Sequence, residues 1–277
     1  NVYPVLRTLY LSFTNAKIAG VGKIQWVWFD NYIRVITDKF FWRALGNTLR
    51  IWGVNIVLQL GLAFLLTIIF SDIKYKIKGL GIFRVIYYLP NLIAATSVAF
   101  LFKTLLDWRY GTFNQIIYQA FKFFGKSYNP IDWLGTAAHA GSTIAVISAW
   151  MWFGNSFIML MAGVQGISKD YFEAAAIDGA NRRQTFWRIK FPLLAPAFTF
   201  NVATSLLGSM NGFDIVQATT QGGPGSTTEI INLFIWRTFG QGLYSQSTTM
   251  SLVLFIMVMI IAVPLIWYLR RREAKIL

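Results

Sequence analysis

The sequence predicts an all-α, polytopic membrane protein that crosses the bilayer about six times as helices. Three observations carry that prediction. Hydrophobic residues make up 56% of the 277-residue chain and charged residues only 13%, against about 25% charged in soluble domains. Several apolar runs match or exceed the roughly 20 residues that span hydrocarbon as a helix, whereas a membrane β-barrel would show short alternating segments. Aromatic residues reach 17%, with 11 Trp, and Trp and Tyr collect at headgroup level.

Val2 to Phe13 is apolar but too short to cross alone; the chain starts at Asn1 and not Met, so this stretch is expected to be the tail of a truncated first span. Residues 16–45 mix Trp26, Trp28, Phe40, Phe41 and Trp42 with charges, as amphipathic pieces at an interface do. A second span is expected over Gly46–Phe70, and a third over Phe83–Leu106 with Pro90 inside it. After a long loop from Asp107 to Ala138, a fourth span is expected over Gly141–Gly163. A polar insert occupies about 164–192. The fifth span is expected over Leu193–Val216, with Pro196 near its start, and the sixth over Thr249–Leu269, containing Pro264 and ending at Arg270-Arg271-Arg272. With no internal repeat or low-complexity linker, a single membrane domain over 1–277 is the simplest division.

Charge orients the spans. Segments 71–84, 164–192 and 270–277 hold 13 Lys+Arg in 51 residues, while 16–45, 103–139 and 217–247 hold 10 in 98. Basic loops stay in the cytoplasm, so the insert is expected on the cytoplasmic side. The net charge of +14 then results from topology and does not require a nucleic-acid partner. The chain has no Cys and one His, His139, which excludes disulfides, thiolate metal sites and histidine metal clusters. No signal peptide is visible.

The insert reads as helix, turn, helix. Ala174, Ala175 and Ala176 are strong helix formers, Ser168 can cap the start, and Asp178-Gly179 supplies a stop and a turn. A second helix fits Arg182–Lys190 and ends at Pro192. Glu173 and Asp178 then stand beside Arg182, Arg183, Arg188 and Lys190. By composition alone this is also what a solvated loop helix looks like. Glycine-lysine pairs at Gly22-Lys23 and Gly125-Lys126 lack the upstream glycine of a phosphate-binding loop, so no ATP site is expected in this chain.

The order E-A-A-x3-G-x9-I-x-x-P, carried by Glu173, Ala174, Ala175, Gly179, Ile189 and Pro192, resembles the cytoplasmic loop of MalF-like, binding-protein-dependent carbohydrate permeases of ABC importers. The usual Leu before the Pro is Phe191 here. Two further stretches are similar to that family. One is Phe213-Asp214 succeeded by Thr220-Gln221-Gly222-Gly223-Pro224-Gly225 and Thr228-Glu229, an external loop ahead of a helix that Thr227 or Thr228 can cap. The other is Asp30-Asn31-Tyr32 leading to Trp42-Arg43-Ala44-Leu45-Gly46-Asn47-Thr48.

The resemblance implies a permease subunit in the bacterial inner membrane that engages its ATPase through Glu173, Ala174, Ala175, Asp178, Gly179, Arg182 and Arg183. It implies a second permease chain, two ATPase subunits holding ATP and Mg, a periplasmic or extracellular solute-binding protein, and a sugar as substrate. No cofactor or metal is expected in this chain itself.

Polar residues inside spans are costly in hydrocarbon, and here they fall in stripes. Thr48, Trp52, Asn55 and Gln59 share a face of the second span; Ser148, Trp152, Asn155, Ser156 and Met159 share one in the fourth; Asn201, Thr204, Ser205, Gly208 and Gly212 share one in the fifth, with Asn211 at its edge. Such residues either glue helices together or line a wet path. Trp152, Asn155, Asn201, Ser205, Asn211 and Asp214 are the substrate-pathway candidates, since amides, carboxylates and aromatic faces suit sugars. The basic excess of the outer segments over Asp30, Asp38, Asp107, Asp132 and Glu229 would suit a uronic-acid oligomer such as alginate, and equally a binding protein or lipid headgroups. A secondary transporter or channel would account for the stripes but not for the insert. A membrane-embedded transferase would need a metal on Asp170, Glu173 and Asp178, which the neighbouring Arg and Lys oppose.

Overall fold

The computed structural model describes residues 2–17, 23–71, 79–209 and 212–276. Among these the chain is helical, its one extended pairing being an isolated bridge between Thr14 and Trp26. The helices are α1 Val2–Ser12, α2 Asp30–Thr37, α3 Lys39–Phe70, α4 Leu80–Leu92, α5 Ala95–Leu105, α6 Thr112–Phe123, α7 Ala140–Gln165, α8 Lys169–Ile177, α9 Arg182–Thr185, α10 Phe191–Leu193, α11 Ala195–Ser209, α12 Phe213–Thr219, α13 Ile231–Gly240 and α14 Tyr244–Ile276. A π-helical turn, Phe186–Lys190, joins α9 to α10.

Three helices, α3, α7 and α14, are long and apolar enough to cross a membrane, with mean hydropathy 2.2, 1.6 and 2.7. Two bent pairs qualify together: α4 with α5, bent by 91°, and Arg183–Leu193 with Ala195–Gly208, bent by 53°. The described residues thus supply three to five crossings where the sequence predicts about six. The 11 residues of α1 cover only about 16 Å, too short to span.

The bent pairs correct two expected continuous spans. In the third, the break falls at Ile93, extended at ψ 138°, rather than at Pro90. Pro90 has no N–H to donate and weakens the last turn of α4, and the helix ends within one further turn. In the fifth, Pro192 and Pro196 flank the bend at Leu194, each withdrawing a backbone donor. The described part of that span runs to Ser209, and α12, entered through Gly212, is a separate helix. Pro264, by contrast, lies within an uninterrupted α14. The second span begins earlier than hydropathy indicates: α3 starts at Lys39, not Gly46.

The chain packs as two compact units. The first comprises Asn1–Trp52, Ala95–Ala145 and Gly208–Ile261; the second comprises Gly53–Ala94, Val146–Leu207 and Ala262–Leu277. In the first, Phe41, Val35, Val98, Ile144, Ile231 and Leu233 are almost fully buried. Asn31 pins the end of α1 there, donating to the carbonyls of Ser12 and Thr14 at 2.9 and 2.7 Å. The loop expected after the third span folds around Asn114, which donates to the Ile131 carbonyl and accepts from Tyr128 and Trp133. In the second unit, Ala63, Phe157, Leu160 and Met161 form a core to which Phe70 and Tyr87 add their rings. Helices α4 and α7 meet at Gly154, where even a Cβ would stand 1.8 Å from the Tyr87 carbonyl oxygen.

Candidate functional site

The insert forms as capping chemistry dictates. Ser168 Oγ accepts from the Asp170 N–H at 3.3 Å and starts α8. At the other end Gly179 takes φ +73°. The Ala180 N–H reaches the Ala175 carbonyl at 2.9 Å and the Gly179 N–H reaches Ala176 at 3.2 Å. That pair of bonds is a Schellman motif, and the positive φ is what glycine allows. Asn181 and Gln184 then cap α9 reciprocally: each backbone N–H donates to the other's side-chain oxygen, at 2.8 and 2.9 Å. This capping box is readable as N-x-x-Q at 181–184.

On α8, Glu173 and Ala174 are exposed and Ala175 is buried. Asp178 is the exposed C-cap residue and Gly179 the exposed turn. Arg183 is exposed on α9; Arg182 opens that helix, its side chain lying outside the described set. Ile177 is 87% exposed and Tyr171 53%, so α8 presents an apolar and acidic surface. The residues expected from the sequence to meet the ATPase are charged or small, and Ile177 and Tyr171 are not among them.

The second helix of the insert departs from its expected course. Instead of one helix over Arg182–Lys190, α9 ends at Thr185 and gives way to a π turn. Its register lets the Phe191 N–H donate to the Phe186 carbonyl, five residues back. Phe186 and Phe191 consequently both reach the ring of Phe64 on α3, with centroids 5.7 and 5.5 Å apart, and Phe198 joins them at 5.4 Å. Phe191, the residue that departs from the usual Leu, is therefore part of an aromatic cluster in the second unit. Lys190 is also not on the exposed basic surface: it is 6% exposed and donates from Nζ to the Ser71 carbonyl just past α3.

Polar residues of the predicted stripes divide between packing and exposure. Gln59 is the hub of a buried network in the second unit. It donates to Ser156 Oγ at 2.8 Å and accepts from Asn55 at 3.3 Å and Ser205 at 3.5 Å. This ties α3 to α7 and α11. Asn201 is 3% exposed and its amide donates to the Ala197 carbonyl of its own helix at 2.8 Å. Trp152 and Met159 are exposed, and Ser148 and Asn155 half-exposed, along one face of α7. Asp214 is exposed in the first turn of α12, in the first unit. Asn211 lies outside the described residues.

In the first unit the two other sequence signatures meet. Arg43 donates to the Gly225 carbonyl. Asn47 donates to the carbonyls of Ser226 and Glu229 at 2.8 and 3.2 Å, and Arg50 to Thr227 at 3.1 Å. Thr48 accepts from the Ile231 N–H at 2.9 Å, so α3 caps α13. The expected caps Thr227 and Thr228 instead donate to Pro224 and Gly223 carbonyls inside the loop. Glu229 pairs with Arg237 at 2.5 Å.

The described residues form a helical chain with three to five possible crossings and a capped two-helix insert. The family described as binding-protein-dependent transport system inner membrane component matches residues 28–276, and the chain belongs to it: it is a permease subunit of an ABC importer, not an ATPase. It is 29% identical to the trehalose/maltose transport system permease MalF of Thermococcus litoralis, covering 93% of this chain and 84% of that protein. It is 31% identical to the multiple sugar-binding transport system permease MsmF of Streptococcus mutans, over 94% and 87% respectively. A probable ABC transporter permease of Pyrococcus horikoshii is 32% identical, over 98% and 92%. The fold is similar, at TM-score 0.80 and 22% identity, to a chain of a bacterial ABC transporter involved in import of the acidic polysaccharide alginate; 98% of this chain and 90% of that one are covered. A second structure, of the bacterial alginate transporter in complex with its alginate pentasaccharide-bound periplasmic protein, has TM-score 0.75 at 21% identity, over 99% and 89%.

Proposed function

We propose that this chain is the sugar- or oligosaccharide-translocating permease of a bacterial inner-membrane importer, moved by ATPase subunits that dock on α8. The observation that carries the proposal is the build of the insert. Capping at Ser168, Gly179 and Asn181 makes α8 and its turn stiff, while Glu173, Ala174 and Ile177 remain exposed. A stiff helix with small residues and an acid on its open face suits insertion into a groove with a basic wall. The density of Lys and Arg in 71–84, 164–192 and 270–277 supports a cytoplasmic position for that face. ATP and Mg then act on the ATPase pair, a second permease chain completes the membrane channel, and a solute-binding protein delivers sugar at the outer loops.

The pathway reading draws on Trp152 and Asn155 on the open face of α7 and on half-buried Ser205 of α11. An aromatic face and an amide are the groups by which a sugar ring and its hydroxyls are held. The names of the relatives, which are transporters of trehalose/maltose, lactose and multiple sugars, support a saccharide substrate. Asp214 and Asn211 stay candidates for the outer end.

Glu173→Ala tests the reading. In an assembled complex, retention of the ATPase subunits on this chain is expected to fall, and uptake with it. Capture of sugar by the solute-binding protein is expected to be unaffected. Full uptake with normal ATPase retention removes the docking role.

A further inference from the structure

Among the described side chains of the insert, Lys190 is the cation that has been taken out of water. It is 6% exposed, and a buried ammonium costs several kcal/mol unless paired. Its partners explain the burial. Nζ donates to the carbonyl of Ser71 and lies 3.4 Å from the Ser71 hydroxyl. Ser71 is the residue just past the 32-residue α3, where unsatisfied carbonyls and the negative end of the helix dipole favour a cation. On the other side Nζ sits 5.6 Å from the ring centroid of Phe172, within cation–π range. Phe172 belongs to α8, next to Glu173. The π turn gives Lys190 this position: each π turn holds about one residue more than an α turn, which rotates the residues after it about the helix axis.

From this geometry we infer that Lys190 is a positioning residue that links the coupling helix α8 to the end of α3. The inference rests on the docking role proposed for α8. When the ATPase subunits move α8, the ring of Phe172 and the ammonium of Lys190 carry the displacement to the Ser71 carbonyl and so to the helix that holds Gln59. The aromatic cluster around Phe64 bears the load on the same helix but has no charge and no fixed hydrogen-bond direction. Lys190 is the part of the contact that sets register.

The test uses the whole importer. The chain has no cysteine, so Lys169→Cys on α8 and Ile69→Cys in the last turn of α3 place spin labels at two exposed positions. In that background, confirmed to transport, Lys190→Met keeps the length and apolar stem but removes the charge; Lys190→Arg restores it. The label-to-label distance distribution and the sugar imported per ATP hydrolysed are measured together. Lys190→Met is expected to broaden the distribution and lower sugar per ATP by about fivefold, the scale of one charge-assisted contact, with Lys190→Arg recovering both. Phe172→Leu, which keeps apolar bulk, is expected to give a smaller loss of the same kind. An unchanged distribution in assembled Lys190→Met complex overturns the link, and an unchanged import ratio overturns its role in coupling. If the unmutated chain retains no ATPase at all, it is the docking reading that fails, before any Lys190 variant is compared.

Discussion

At Gly154 one hydrogen atom decides whether two helices can pack. A Cβ there would sit 1.8 Å from the Tyr87 carbonyl oxygen and 2.4 Å from its carbon. Both are main-chain atoms of α4, which cannot rotate aside as a side-chain tip can. Gly154→Ala is therefore expected to separate α4 from α7, at a cost of about 1–3 kcal/mol or more for overpacking. A lowered unfolding temperature in detergent, read by tryptophan fluorescence, checks it; an unchanged temperature would mean that the helices do not approach so closely. The neighbouring residues show the other use of a small or polar group. Gln59 reaches Ser156 and Ser205 where a leucine would remove a hydrogen-bond partner from both hydroxyls in an apolar setting. Interhelical bonds of this kind are worth only about 0.6–2 kcal/mol each, so the network at Gln59 contributes more to which faces meet than to total stability.

At the scale of elements, the insert shows what local chemistry settles. Gly179 at φ +73° ends α8 and turns the chain toward Asn181. A β-branched residue there is strained in the left-handed region, and Gly179→Val is expected to cost roughly 1–2 kcal/mol locally. Because the strain falls on a turn and not on a core, the expected readout is reduced ATPase retention with expression and thermal unfolding close to the parent. Loss of both together would assign Gly179 to general folding. The helix α8 is legible in the sequence because Ser168, the alanines and Asp178-Gly179 all point the same way within a short stretch of chain. The segment after Thr185 is not. The π turn at Phe186–Lys190 depends on Phe64, far earlier in the chain, offering a surface for both Phe186 and Phe191. The break between α4 and α5 is hidden for a related reason: hydropathy is continuous through Ile93, and it reports apolar character, not helical continuity. The same blindness places Lys190 on the basic surface, since one of its partners is the Ser71 backbone carbonyl, which no residue type announces.

At the scale of the whole molecule, the signatures before the second span and after the fifth turn out to be one construction, since Arg43, Asn47 and Arg50 hold the carbonyls of 225–229. Neither stretch names the other in sequence; a glycine-rich loop and a helix start are each ordinary alone. This joint changes how the charge is understood. The segments expected on the outer side are basic on counting, which would suit an acidic saccharide. Yet Arg43 is engaged by the Gly225 carbonyl, and Arg237 by Glu229 and the Gln221 carbonyl. Arg109 lies over the ring of Trp108, 4.7 Å from its centroid. The open face of α7 carries Ser148, Trp152, Asn155 and Met159, none of them charged. A path that strongly preferred carboxylates would need cations facing it, because an unpaired anion in an apolar passage is costly. Neutral oligosaccharides are accordingly expected to inhibit uptake of a labelled neutral sugar into proteoliposomes at least as well as uronic-acid oligomers of equal length. Competition that is stronger with the uronic-acid series, and that weakens as salt is raised, would show that the remaining outer lysines face the substrate after all.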